Sequence, residues 1–167
     1  SSSAASDVYK RQVKVLVEGE YRCRVLNFIP NSEHFYVQVE ALEEVSAETN
    51  EIEALRRNIR AAFETYSKHN KKITQEVLDA VAAIDAPSRL ADTVAAYMPF
   101  KLESKQKLLE TLNVSERLEK LFGQIRAEVD IIQTEERIKG RVKKQMEKTQ
   151  REYYLTEQMR AIQKEMG

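Results

Sequence analysis

The sequence predicts an α+β chain: a small, incomplete antiparallel β lobe, then a helical bundle, then a long projecting C-terminal helix. Three observations predict it. Apolar and polar residues alternate through the first part of the chain, as in half-buried strands, as far as Ala41. From Glu48 onward the apolar residues recur at threes and fours, the spacing of an amphipathic helix. From Val114 to the C-terminus there is no proline, and the only interior glycines are Gly123 and Gly140. A continuous helix over that stretch would be roughly 80 Å long at 1.5 Å per residue. No compact domain of this size encloses such a rod, so part of it must project.

Residues 1–12, SSSAASDVYKRQ, show neither period and read as a flexible or non-native tail. A partial β lobe is expected over 13–46. Val13, Val15 and Val17 alternate before a turn at Glu18-Gly19-Glu20, and Tyr21, Cys23, Val25 and Ile29 share one face of a second strand. Pro30-Asn31-Ser32-Glu33 turns the chain, and Phe35, Val37, Val39 and Ala41 share a face of a third strand. Three such strands form a meander with one buried face and an unprotected edge.

The bundle is expected over 47–112. Ile52, Leu55, Ile59, Ala62, Phe63 and Tyr66 mark a helix ending near His69-Asn70. Thr74 can cap a helix carrying Val77, Leu78, Val81 and Ile84. Asp85 can cap the next, with Pro87 in its first turn, Leu90, Val94 and Tyr97 inside, and Pro99 as its stop. Ser104 opens a short helix through Leu108, Leu109 and Leu112.

The long helix takes 113–167. Asn113 followed by Glu116 has the spacing of a capping box. Val114, Leu118, Leu121, Phe122, Ile125, Val129 and Ile132 then form a stripe broad enough to pack on a core. Between Gln133 and Glu152 the large apolar residues are Ile138, Val142 and Met146, a thin seam amid charge that suits a solvated or coiled-coil helix. Tyr153, Tyr154, Leu155, Met159, Ile162 and Met166 restore apolar character at the end. The pattern is anchor, exposed shaft and second contact site.

Composition narrows the function classes. With 27 basic and 27 acidic residues the net charge is zero, so no global field draws the chain to nucleic acid or membrane. No apolar run approaches the roughly 18 residues of a membrane span, and no basic-then-apolar start marks a signal peptide. The lone Cys23 leaves no intramolecular disulfide and fits a reducing compartment such as the cytoplasm. His34 and His69 lie far apart, with Cys23 isolated from both, so no metal-ligand spacing exists. Alternation places Cys23 and His34 on opposite strand faces, which argues for a core cysteine rather than a nucleophile. Acidic pairs such as Glu43-Glu44 and Glu135-Glu136 suit solvated faces without acid–base work. Lys139, Arg141, Lys143, Lys144, Lys148 and Arg151 could touch phosphate, but nearby glutamates dilute their field. Met146, Tyr153, Tyr154 and Met159 offer adaptable apolar contacts and are the candidate residues for a substrate or partner.

Several ordered segments carry a family resemblance: VKVLVEGEYRCRV (Val13–Val25), DAPSRLADTVAAYMPFKLESKQKLLE (Asp85–Glu110), LNVSERLEKLFGQIRAEVDIIQTEERI (Leu112–Ile138) and RVKKQMEKTQREYYLTEQMRAIQKEMG (Arg141–Gly167). Together they resemble the N-terminal region of the Lon family of bacterial ATP-dependent serine proteases. The resemblance implies a parent that forms a hexamer, uses ATP and magnesium, captures misfolded or degron-bearing proteins and cleaves them with a serine–lysine dyad. It also implies a weak DNA contact. The family's phosphate loop, G-x-x-x-x-G-K-[ST], cannot be built from Gly19, Gly123, Gly140 and Gly167. The expectation is therefore a non-catalytic fragment for substrate recognition and assembly, without cofactor or metal, ending before the ATPase module and lacking the family's first strands. The alternative is a free-standing coiled-coil adaptor or nucleic-acid-associated scaffold.

Overall fold

A computed structural model describes residues 12–167. The expected tail lies outside the described residues, Gln12 excepted. The chain divides into two compact units, Ser1–Glu43 and Glu44–Gly167.

In the first unit, β1 (Cys23–Ile29) and β2 (Tyr36–Ala41) pair antiparallel. The strand expected over Val13–Val17 does not form: among the described residues the sheet has two strands. Alternation makes a segment compatible with a strand, but its amides still need a neighbouring edge to bond. The pairing runs Cys23 with Ala41, Val25 with Val39, then Asn27 with Gln38, Phe28 with Val37 and Ile29 with Tyr36. Val25 and Leu26 thus oppose one residue, a β-bulge that re-aims every side chain after it. Cys23, Val25 and Phe28 share a face with Val37, Val39 and Ala41, while Ile29 moves to the other face with Asn27, Tyr36 and Gln38. This corrects the expectation for Ile29, which simple alternation had placed with Val25. The polar face is laced by Asn27 donating to Gln38 (3.2 Å) and by Arg24 near Glu40 (3.8 Å).

The apolar face is open rather than buried, and Cys23, expected in a core, is exposed. A two-stranded hairpin has no second layer to cover it.

The second unit is helical. α1 (Asn50–Ser67) starts where Thr49 Oγ1 accepts from the Ile52 amide (3.2 Å), and it buries Ile52, Ile59, Ala62, Phe63 and Tyr66. α2 (Gln75–Ala82) is capped by Thr74 as expected, through the Val77 amide (3.4 Å). α3 (Pro87–Tyr97) follows Ala86 and has no side-chain cap, so Asp85 does not play that role. The Asp85 carbonyl instead accepts from Arg56, and Pro87 at the first position removes one of the amides a cap would serve. α4 (Leu102–Glu110) begins ahead of Ser104, because the Lys101 carbonyl already accepts from the Ser104 and Lys105 amides (3.0 and 3.1 Å). α5 (Val114–Met166) is one continuous helix of 53 residues, opened by Asn113 Oδ1 accepting from the Glu116 amide (3.1 Å).

One core joins these helices. Ile59 and Phe63 of α1, Leu90 and Val94 of α3, and Leu118, Leu121 and Ile125 of α5 are fully buried in it. Each such side chain contributes about 1.5–3 kcal/mol of transfer free energy. Val45 stitches the start of the unit to the start of α5: its amide donates to the Leu112 carbonyl (3.0 Å), and its carbonyl accepts from the Val114 amide (2.9 Å). Beyond partly buried Ile132, α5 leaves the core. His69 Nδ1 meets Glu136 Oε1 at 2.8 Å, and every residue from Arg137 to Met166 is exposed. That free length is about 45 Å at 1.5 Å per residue.

Candidate functional site

The exposed half of α5 carries the candidate residues. No proline interrupts it, and Gly140 costs an exposed helix only about 1 kcal/mol relative to alanine, so the helix persists without a core to lean on. Its apolar side chains have nothing of the unit to cover them: Met146 is 57% exposed, Tyr153 69% and Met159 62%.

Their arrangement follows from the helical turn of about 100° per residue. Ile138, Val142, Met146 and Tyr153 fall within a sector of about 80°, a single stripe along the shaft. Leu155, Met159, Ile162 and Met166 fall in a second sector, about 130° round the helix from the first. Tyr154 lies between the two, and its hydroxyl accepts from Gln158 Nε2 (2.8 Å). Of the four residues singled out in the sequence, Met146 and Tyr153 therefore share a face, Tyr154 stands apart, and Met159 points away from them. They do not make one patch. The shaft presents one seam, whereas the tip is apolar on several sides, which suits contact with more than one surface.

Sequence reasoning missed a second apolar surface, the open face of the hairpin. Phe28 packs edge-on against Phe35 with ring centroids 6.5 Å apart, and Phe35 is 92% exposed. Val25 and Val39 are also exposed on that face. Alternation had marked Val25, Phe35 and Val39 as inward, the bulge adds Phe28 to them, and only the absence of a covering layer leaves them exposed.

It also missed Arg117, a guanidinium 1% exposed within the helical unit. Arg117 sits one residue from Leu118 on the inner side of α5. Its Nε and Nη2 donate to the Thr111 carbonyl (2.9 and 2.6 Å), and its Nη1 donates to Ser88 Oγ (2.9 Å) and pairs with Glu44 Oε1 (2.8 Å). Ser88 in turn donates to Glu44 (2.6 Å to Oε2). Burying this charge is tolerable because it is paired and bonded. The network ties the segment before α1, the start of α3 and the end of α4 to α5, a structural role. A charge spaced with Val114 and Leu121 along the inner stripe was the signal in the sequence.

On α1, the side-chain hydrogen bond from Arg56, then that from Arg57, holds the Glu53 carboxyl below its ordinary value. Arg56 is half-buried and also donates to the Asp85 carbonyl, so the cluster ties α1 to the segment before α3. Among the described residues no group of three or more histidine, cysteine, aspartate or glutamate side chains could hold a metal ion. Among them, too, no helix is long and apolar enough to cross a membrane.

Residues 6–127 match the family model described as ATP-dependent protease La (LON) substrate-binding domain. Among curated proteins, the chain is 76% identical over 155 residues to Lon protease 1 of Syntrophobacter fumaroxidans, an alignment covering 93% of this chain and 19% of that protein. It is 54% identical to Lon protease of Escherichia coli, over 93% of this chain and 20% of that protein. Identity to Lon protease 1 of Myxococcus xanthus is also 54%, over 93% of this chain and 19% of that protein. The chain spans about a fifth of the length of the curated relatives it matches.

Proposed function

Because the chain belongs to the LON substrate-binding domain family, we propose that it is the non-catalytic module with which an ATP-dependent protease engages misfolded or degron-bearing polypeptides. One observation carries this reading: the last turns of α5 expose Tyr153, Tyr154, Leu155, Met159, Ile162 and Met166, which have no core of their own. Aromatic and methionine side chains on several sides of a helix can adapt to extended clients of varied sequence. Tyr153, Tyr154 and Met159 are assigned to this capture surface, with Met146 at its edge on the shaft.

The same reading assigns the parent a hexameric ring, ATP with magnesium, and a cytoplasmic setting. The residues of this chain do not fit the nucleotide, since its glycines cannot form a phosphate loop. ATP chemistry is assigned to other parts of the parent. In organisation we assign 13–46 to a β lobe, 47–112 to the bundle and 113–167 to a helix leading toward the ATPase module. A DNA contact, if this region makes one, belongs to the basic shaft and is weak at physiological salt.

The test is a pull-down of a permanently unfolded client beside its folded counterpart, at matched concentration and without nucleotide. The unfolded client should be retained preferentially, and replacing Tyr153, Tyr154 and Met159 with serine should reduce its retention several-fold. Affinity should be modest, because a single copy lacks the multivalency of a ring. Equal retention of folded and unfolded clients would leave assembly as the role of this region.

A further inference from the structure

The chain passes from the hairpin unit to the helical unit through a very short untied stretch. On the hairpin side, just past the end of β2, the Leu42 amide donates to the Arg22 carbonyl (2.9 Å). On the helical side, Val45 bonds through its amide to Leu112 and through its carbonyl to Val114. Glu44 is held by its side chain, which pairs with Arg117 Nη1 (2.8 Å) and accepts from Ser88 Oγ (2.6 Å). The irregular segment that follows is fastened too, since Glu48 pairs with Arg56 (3.4 Å) and Thr49 caps α1. Glu43 stands between these two sets of ties, at the boundary of the units. It is exposed, and among the described residues it makes no hydrogen bond or ion pair.

We propose that Glu43 is a one-residue swivel between the hairpin and the helical unit, with the Glu44–Arg117–Ser88 network as the pin on its far side. Hinges are loop or element-terminal positions that absorb a change in φ and ψ, and each residue carries two such soft dihedrals. Glu44 has the opposite character. Its carboxylate meets a guanidinium buried in the helical unit, so letting go would leave that buried charge short of its partner, a costly state. The stretch from Glu44 to Thr49 has the irregular backbone and polar composition of a linker, yet its fastenings make it part of the helical unit. Such a device turns the hairpin without adding slack, so a pull on the hairpin reaches the start of α5 through Val45 and Arg117. The proposal rests on the course of the chain and uses neither the capture surface nor the exposed half of α5.

The measurement is backbone amide relaxation and exchange by NMR on the full chain. In the wild type, hairpin amides should report a rotational correlation time roughly twofold shorter than that of the helical unit. Glu43→Pro fixes φ at the swivel and takes away no hydrogen bond, so it should bring the two values together. Ser46→Pro should leave the difference as it is. Glu44→Ala should speed exchange of the Val45 amide roughly fivefold, while the amides of Leu121 and Ile125 keep their protection. That contrast separates a lost pin from a lost fold. Ser88→Ala, which spares the Glu44–Arg117 pair, should act in the same direction by a smaller factor. Equal correlation times for the two units in the wild type would overturn the swivel. So would an unchanged difference in Glu43→Pro, and a response to Ser46→Pro would then place the flexibility in the following segment. A Val45 amide unaffected by both Glu44→Ala and Ser88→Ala would overturn the role of the network as the pin.

Discussion

The two halves of α5 are one helix with two different physical bases. From Val114 to Ile132 the helix is a core element, with Leu118, Leu121 and Ile125 fully buried and Arg117 held by three neighbouring segments of the chain. From Arg137 to Met166 it has the same backbone and every side chain in solvent. Helical continuity is thus a local property, set by the absence of proline and a run of good helix formers. Stability is not local. Exposed pairs such as Arg160–Glu157 (3.3 Å) and Lys148–Glu152 contribute only about 0.3–0.5 kcal/mol each. The shaft is helical in shape but takes its rigidity from the base, or from whatever covers it.

The sharpest way to break the comparison is to remove apolar volume from each half. Leu118→Ala should destabilise the helical unit by about 3 kcal/mol, lowering its thermal midpoint by roughly 10 °C. Val142→Ala, an exposed change in the same helix, should cost no more than about 0.5 kcal/mol. Thermal denaturation followed by circular dichroism separates the two, and comparable losses would mean that the shaft is packed in solution. A slightly smaller effect is expected from Arg117→Ala. It removes the cationic partner of a buried pair and takes both guanidinium donors from the Thr111 carbonyl, at a cost of roughly 2–3 kcal/mol. The figure sits below that of a fully enclosed pair because the Glu44 side chain keeps 29% of its surface in solvent. If chemical denaturation shows that Arg117→Met restores wild-type stability, charge pairing contributes little and packing dominates. The smallest effect concerns dynamics. Hydrogen exchange should be slow over residues 114–132 and fast over 133–152. Gly140→Ala, whose new methyl would meet nothing within 4 Å, should slow exchange in the shaft by up to about fivefold, from about 1 kcal/mol of helix propensity. Uniform protection along α5 would refute the distinction.

The sequence was most legible where one rule acts alone. Periodicity located the buried faces of α1 and of the base of α5, and the short-range chemistry of Thr74 and Asn113 located two helix starts. Reading failed where a second, non-local term decides. The bulge at Val25–Leu26 depends on how two strands register, and it exchanges Ile29 for Phe28 on the apolar face. Asp85 and Ser104 are good capping residues by type, but neighbouring backbone carbonyls and Pro87 already satisfy those turns. The Val13–Val17 alternation and the outward Cys23 share one cause: a strand pattern specifies which side chains go together, not whether anything lies against them. Among the candidate contact residues, their exposure could be read from the sequence. Their division between two sides of the helix required counting turns.

The free length of α5 has a mechanical consequence. A rod of about 45 Å fixed at one end behaves as a lever. A rotation of about 10° at its base sweeps the tip through about 8 Å, more than one helical turn of 5.4 Å. Small rearrangements around His69 would therefore reach Tyr153 and Met159 as lateral shifts of about 4 and 6 Å, and the last turn of the helix as the full sweep.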